Sequence, residues 1–218
     1  MILKRFPFAV VLAGLCLYAC MRAGGASNEG AWHTLVQPSS LDGWTISTAS
    51  PHGDTKAWTV KDGVVEGTQD KTGNGGIIYS AGQYGNFILE LELNPDAGLD
   101  SGIFLRSTPE GKCYQIMVDN YDKGDIGGIY GEGLGGFIQR TENWKEVFKQ
   151  DEWNKLVAVV TGNPPAIEVW LNGHHVTSWR DDERRLDDRG HIALQVHKGD
   201  RYEGLKTRFR NVRLRELD

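Results

Sequence analysis

The sequence is short of cysteine, of excess basic charge and of long apolar runs, and each shortage removes a class of protein. Of its three cysteines, Cys16 and Cys20 lie in an N-terminal segment expected to be removed or lipidated, which leaves Cys113 without an internal partner. No disulfide then braces the mature domain, and the fold must rest on its apolar core. The 24 basic residues are outnumbered by 29 acidic ones, a net charge of −5. That balance offers neither a footprint for a nucleic-acid backbone nor a polybasic membrane patch, so small or neutral partners are favoured. No Cys/His cluster has zinc spacing, and His174-His175 point to opposite faces of a strand. Gly131-Glu132-Gly133 belongs to no strand-to-helix unit with a following lysine, so it makes no phosphate loop. No cofactor or metal is expected on these grounds, although a hard cation held by carboxylates stays open. Long helical patterns, internal repeats and low-complexity blocks are scarce or absent.

What is present begins with Lys4 and Arg5 ahead of the apolar run Phe6 to Ala19, which is too short for a comfortable membrane span. Residues 1–19 therefore read as an export signal. Leu17-Tyr18-Ala19-Cys20 is similar to the bacterial lipoprotein signal, in which Cys20 would take lipid and become the new N-terminus. Cleavage near Ala26 without lipid is the competing reading. Either route predicts export, as a periplasmic or outer-membrane lipoprotein or as a secreted protein, with membrane contact limited to the lipid. Residues 20–30 are small and polar and read as a tether. Residues 31–218 are then one domain, at a length where an all-β chain still fills a single core.

From Trp32 onward, short apolar segments alternate with turn residues, the pattern of an antiparallel sandwich. Asp62-Gly63 and Asn172-Gly173 supply the positive-φ chemistry of tight hairpins. In Phe87 to Leu93 the odd-numbered positions are apolar, while Glu90 and Glu92 share the other face. Their spacing sets both carboxylates side by side, a poor arrangement for flanking a glycosidic bond. Three further segments, Gly102 to Ser107, Cys113 to Asp119 and His191 to His197, each have one apolar face. If those faces share a core, Arg106, Gln115, Asp119, Gln195 and His197 converge on the opposite side of one sheet. Gly124 to Gly136 holds seven glycines around Tyr130 and Glu132, which reads as a tight loop or short strand that a ligand can approach closely. Trp144 lies in a predicted loop and is the better aromatic platform, whereas Trp153 reads as core.

Leu41-Asp42-Gly43-Trp44, Trp58 to Gly63, Asp100 to Arg106, Trp153-Asn154, Leu171-Asn172-Gly173, Ile192 to His197 and Phe209 to Val212 occur in an order that resembles the bacterial 3-keto-disaccharide hydrolase family. The resemblance spans nearly all of Trp32 to Asp218. It implies a concanavalin-like jelly roll, two curved antiparallel sheets, with a carbohydrate on the concave face and cleavage of glycosides oxidised at the sugar 3-position. Asp100 stands where that family usually carries Asn, and Gln115 and Met117 stand where Glu and Gln are common.

A ketone at C3 acidifies the proton at C2, so such a site needs a base, and a donor or fixed positive charge for the enolate oxygen. By chemical type His197 suits the base and Arg106 the positive charge, with Asp119 to orient or charge-pair with the histidine, and the resemblance at Leu194-Gln195-Val196-His197 adds weight to His197 alone. Gln115 and Gln195 would read sugar hydroxyls through their amides, and Tyr130, Glu132 and Trp144 would complete the binding surface. Read from the residues alone, His197 is a polar strand residue facing solvent, Arg106 a surface ion-pair partner and Asp119 the start of a turn. The non-enzymatic alternative is a carbohydrate-binding module of the same fold; a conventional glycosidase is the other.

Overall fold

A computed structural model describes residues 30–218 apart from Glu142. The expected export signal, Cys16, Cys20 and the tether up to residue 29 lie outside the described residues. Fifteen strands are found among the described residues: β1 (His33–Thr34), β2 (Trp44–Ile46), β3 (Trp58–Lys61), β4 (Val64–Thr68), β5 (Gly76–Tyr84), β6 (Phe87–Leu93), β7 (Gly102–Ser107), β8 (Cys113–Val118), β9 (Ile126–Glu132), β10 (Gly136–Gln139), β11 (Asn154–Thr161), β12 (Ala166–Leu171), β13 (His174–Arg180), β14 (Gly190–Val196) and β15 (Lys206–Glu216). One short helix, α1 (Trp144–Val147), and a 3-10 turn at Asp200–Tyr202 complete the secondary structure.

The strands make two antiparallel sheets. The first runs β13-β12-β11-β6-β15-β4-β3, with β1 added against β15, and the second runs β10-β9-β8-β7-β14-β5-β2. Alternation in sequence explains how they stack. Leu89, Leu91, Leu93, Leu156, Val160, Phe209 and Leu214 of the first sheet meet Ile103, Leu105, Tyr114, Ile116, Ile192 and Leu194 of the second in one buried cluster. Burial of such side chains is worth about 1.5–3 kcal/mol each, which is how the domain dispenses with disulfides. The jelly-roll fold implied by the resemblance is therefore the fold observed. Both expected hairpin turns are there: Asp62 and Gly63 have φ of 51° and 75°, and Asn172 and Gly173 have 50° and 84°.

Of the two readings of the glycine-rich stretch after Gly124, the strand is the one found: it contains β9, paired with both β8 and β10. Sandwiching between two neighbours supplies the ladder hydrogen bonds that offset the poor strand propensity of glycine.

Candidate functional site

The residues that alternate with the core positions of the second sheet face outward, and register brings them together. Gln115 and Met117 of β8 pair with Phe104 and Gly102 of β7, while Gln115 and Cys113 pair with Tyr130 and Glu132 of β9. Gly102 leaves space that matters here, since a Cβ on it would lie 2.4 Å from Nε2 of Gln115. That amide lies over the bare backbone, donating to the Ser101 carbonyl at 3.3 Å and to Oε1 of Gln195 at 3.4 Å. Ser101 in turn donates its hydroxyl to the Gln195 carbonyl at 2.7 Å, tying β7 to β14.

These side chains form the floor of a pocket of about 220 Å³. Its rim comes from strand ends: Asp100 just before β7, Asp119 and Tyr121 just after β8, His197 just after β14, and Phe137 on β10. His197 is half-buried, and its Nδ1 lies 2.7 Å from the Lys198 carbonyl. A carbonyl only accepts, so Nδ1 carries the proton and Nε2 keeps its lone pair. The backbone here is held from behind by Gln69, which donates to the carbonyls of His197 and Gly199 at 2.8 and 2.9 Å. The His197 ring packs against His52 and Tyr202, with centroid separations of 4.9 and 5.3 Å. Nε2 of His52 lies 3.0 Å from the Gln195 amide and 3.6 Å from the Glu132 carboxylate, while its Nδ1 is buried without a hydrogen-bond partner.

Two carboxyls in this pocket are unusual. Burial, then the neighbouring Asp100, pushes Asp119 up to about 8, against a smaller lowering by the Tyr121 hydroxyl that donates to it at 3.3 Å. Burial also raises Asp100, although the charges of His197, His52 and Arg201 and a 3.2 Å hydrogen bond from Tyr202 oppose it. At neutral pH Asp119 is thus largely a neutral acid. Burial and the two aspartates raise Tyr121 and Tyr202 as well, so both phenols stay protonated donors. Arg201 stacks over the two rings, 4.4 Å from the centroid of Tyr121 and 5.6 Å from that of Tyr202. Among the described residues, no group of three or more His, Cys, Asp or Glu side chains is arranged to hold a metal ion.

Of the residues expected at a site, His197, Asp119, Gln115, Gln195, Tyr130 and Glu132 line this pocket. Arg106 does not. From Ala193↔Phe104 to His191↔Ser107, β7 uses one residue more than β14, so the alternation is broken by a bulge. Arg106 sits in that bulge with φ of 51°, only 3 % exposed, and its guanidinium turns away to the Gly85 carbonyl at 3.0 Å and Asn86 at 3.4 Å. Gly190 makes the bulge possible, because a Cβ there would meet the Arg106 backbone at 2.4 Å. Trp144 is also elsewhere: it is buried against Ile126 and Leu171, its indole donates to the Gly124 carbonyl at 3.1 Å, and it borders a neighbouring hollow. Trp153 is half-buried outside the main core, with Arg210 stacked 4.2 Å over its ring. The expected partner of His197 changes too, since the carboxyl lowered by its interaction with His197 is Asp100. Asp100 and Tyr121 adjoin segments whose alternation was read, but they fall two and three residues beyond the strand ends. His52 and Tyr202 lie in segments with no periodic signal at all.

Two antiparallel sheets with a polar pocket on one open face make a concanavalin-like jelly-roll domain. Residues 31–215 match the family described as 3-keto-alpha-glucoside-1,2-lyase-like domain, and the chain belongs to that family. Two crystal structures of a candidate glycosyl hydrolase from Parabacteroides distasonis share its fold at 23 % identity, with TM-scores of 0.63 and 0.62. The first alignment covers 87 % of this chain and 94 % of that one, and the second covers 86 % and 100 %. Lectin II from Ulex europaeus superimposes with a TM-score of 0.65 at 11 % identity, over 87 % of this chain and all of its own. No curated protein matches the chain in sequence.

Proposed function

We propose that the protein cleaves glycosides whose sugar carries a ketone at C3, by elimination followed by hydration. The observation that carries this reading is one pocket holding both a histidine with a free Nε2 lone pair and, in Asp119, a carboxyl kept protonated near neutrality. Nε2 of His197 takes the C2 proton, and the electron pair moves into a C2–C3 enolate. The Gln195 amide, one side of which faces His52, supplies its other hydrogen to the enolate oxygen, the part first assigned to Arg106. The enolate then collapses, restoring the ketone and forming a C1–C2 double bond as the C1–O bond breaks. Asp119 gives its proton to the departing oxygen. Water adds at C1, its proton returning to Asp119, and His197 returns the first proton to C2, so the net change is hydrolysis. An acid and a base held in one pocket are what such a sequence requires, and each contributes about 10²–10⁴-fold.

The test is incubation with a matched pair, a 3-keto disaccharide and its unoxidised parent, using wild type and His197→Ala. Turnover of the keto sugar alone, lost in the variant with binding retained, is the expected result. Binding of both sugars without turnover of either would reduce the protein to a binding module. Turnover of the unoxidised sugar alone would discard the elimination chemistry.

A further inference from the structure

The pocket floor carries two carboxamides, and an amide can present either its oxygen or its nitrogen to a neighbour, so each needs something to fix its sense. The Ser101 carbonyl is the fixed end of the chain. It belongs to a fully buried residue and can only accept, and Gln115 turns its Nε2 toward it at 3.3 Å. The same nitrogen faces Oε1 of Gln195 at 3.4 Å, which leaves the Gln195 nitrogen on the far side. There it meets Nε2 of His52 at 3.0 Å. An amide nitrogen donates and does not accept, so this ring nitrogen holds a lone pair and the proton of the neutral imidazole sits on Nδ1.

That Nδ1 is buried and has no hydrogen-bond partner. The opposite tautomer would aim an N–H toward the Glu132 carboxylate 3.6 Å away, but would set it against the Gln195 amide hydrogens. The fold leaves one buried donor unsatisfied and keeps an acceptor facing Gln195, and such an exception calls for a reason. The loop that carries His52 is pinned in place. Its own N–H donates to the Ser50 hydroxyl at 3.2 Å, and Lys198, next to His197, donates to the Pro51 carbonyl at 2.7 Å.

We propose that His52 is a positioning residue: the lone pair on its Nε2 holds one hydrogen of the Gln195 amide, so that the other points at the substrate oxygen that becomes the enolate. The inference rests on the reaction proposed above. The His52 and His197 rings also pack with centroids 4.9 Å apart, which supplies the rival account in which His52 only supports the base.

The experiment is a double-mutant cycle on a 3-keto disaccharide, with wild type, His52→Leu, His52→Gln, Gln195→Met and the combined His52→Leu, Gln195→Met protein. Gln195→Met is expected to lower kcat about 100-fold, as when one oxyanion donor is removed. His52→Leu should lower kcat about ten-fold with KM little changed, because the affected bond strengthens only as charge develops on the oxygen. His52→Gln returns an acceptor near the place of Nε2 and should recover most of that loss. In the combined protein the His52 change should add nothing to the Gln195 change. An additive loss there would mean that His52 acts on His197, and it overturns the proposal, as does a His52→Gln protein no better than His52→Leu. Nitrogen NMR of histidine-labelled protein in mildly alkaline buffer reads the tautomer without any substrate. Wild type should show His52 protonated at Nδ1, moving toward the Nε2–H form in Gln195→Met, and an Nε2–H ring in wild type sinks the assignment. If wild type turns over no keto sugar, the reaction alone is wrong, and this tautomer result decides whether His52 holds Gln195.

Discussion

The outward faces of the two sheets obey the same alternation and end in opposite electrostatic states. On the first sheet, carboxylates are matched with cations: Glu90 lies 2.8 Å from Lys155 and 2.6 Å from Arg213, and Glu92 pairs with Arg210. Glu66 is 2.7 Å from Lys206 and 2.9 Å from Arg208, which also reaches Asp96 at 2.7 Å. Burial pushes Glu66 and Glu90 upward, but these partners prevail and hold both below the usual carboxylate value. On the second sheet, Asp100 and Asp119 are more deeply enclosed and, among the described residues, neither has a Lys or Arg in an ion pair. Burial raises both, and the charge of Asp100 adds to the rise of Asp119. Pairing silences a carboxylate as an acid, and withholding a partner makes it one.

The sharpest way to break this contrast is Asp119→Asn, which keeps the shape of the neutral carboxyl and removes its proton. Turnover of the 3-keto substrate is expected to fall about 100-fold or more in steady-state assays, with substrate still bound. A variant retaining near-wild-type kcat would show that Asp119 is a bystander. In wild type, kcat should also decline on the alkaline side as Asp119 ionises near 8. Asp100→Asn tests the coupling behind that value. Asp100 raises Asp119, so its neutral replacement should shift the alkaline limb of the kcat profile to lower pH. A stationary limb would mean that another group is titrating.

The same pair has a signature in stability that needs no substrate. The folded-state value of Asp119 lies above its ordinary 3.8, so the native state binds the extra proton between about 3.8 and 8. Its contribution is complete below the unfolded value and is lost as pH rises through the folded one, so the melting temperature should decline over that window. Asp119→Asn should flatten the decline, as read by thermal melts at a series of pH values. An identical slope in the variant would assign the proton uptake elsewhere.

The fold was largely legible in the sequence because the core positions keep period two: Ile103 and Leu105, Tyr114 and Ile116, Ile192 and Leu194 all point as alternation requires. The site was legible wherever the strands stay regular, which is why Gln115 and Gln195 lie in the pocket as expected. Arg106 was lost to a single inserted residue, since a bulge reverses every inference that depends on counting by twos. Trp144 misled because a four-residue helix turns its ring inward, and so short a helix leaves almost no periodic trace. Asp100, Tyr121, His52 and Tyr202 come from strand ends and loops, whose placement depends on tertiary contacts rather than on local pattern.

The smallest expected effect belongs to the first sheet and tests whether its pairing is only local. Glu90→Gln preserves the side-chain volume but leaves Lys155 and Arg213 without their shared counter-ion. Their side chains are 36 % and 45 % exposed, so both can turn to water, and salt screens what repulsion remains. Glu90 itself is only 14 % exposed, but a neutral amide is cheaper to bury than a carboxylate, so the cost in unfolding free energy by urea titration should stay at about 1 kcal/mol. Turnover and the position of the alkaline limb should not move, because the core lies between this face and the pocket. A shift of that limb would show that the charge on one face reaches Asp119 through the protein, and the two faces would then be one electrostatic system.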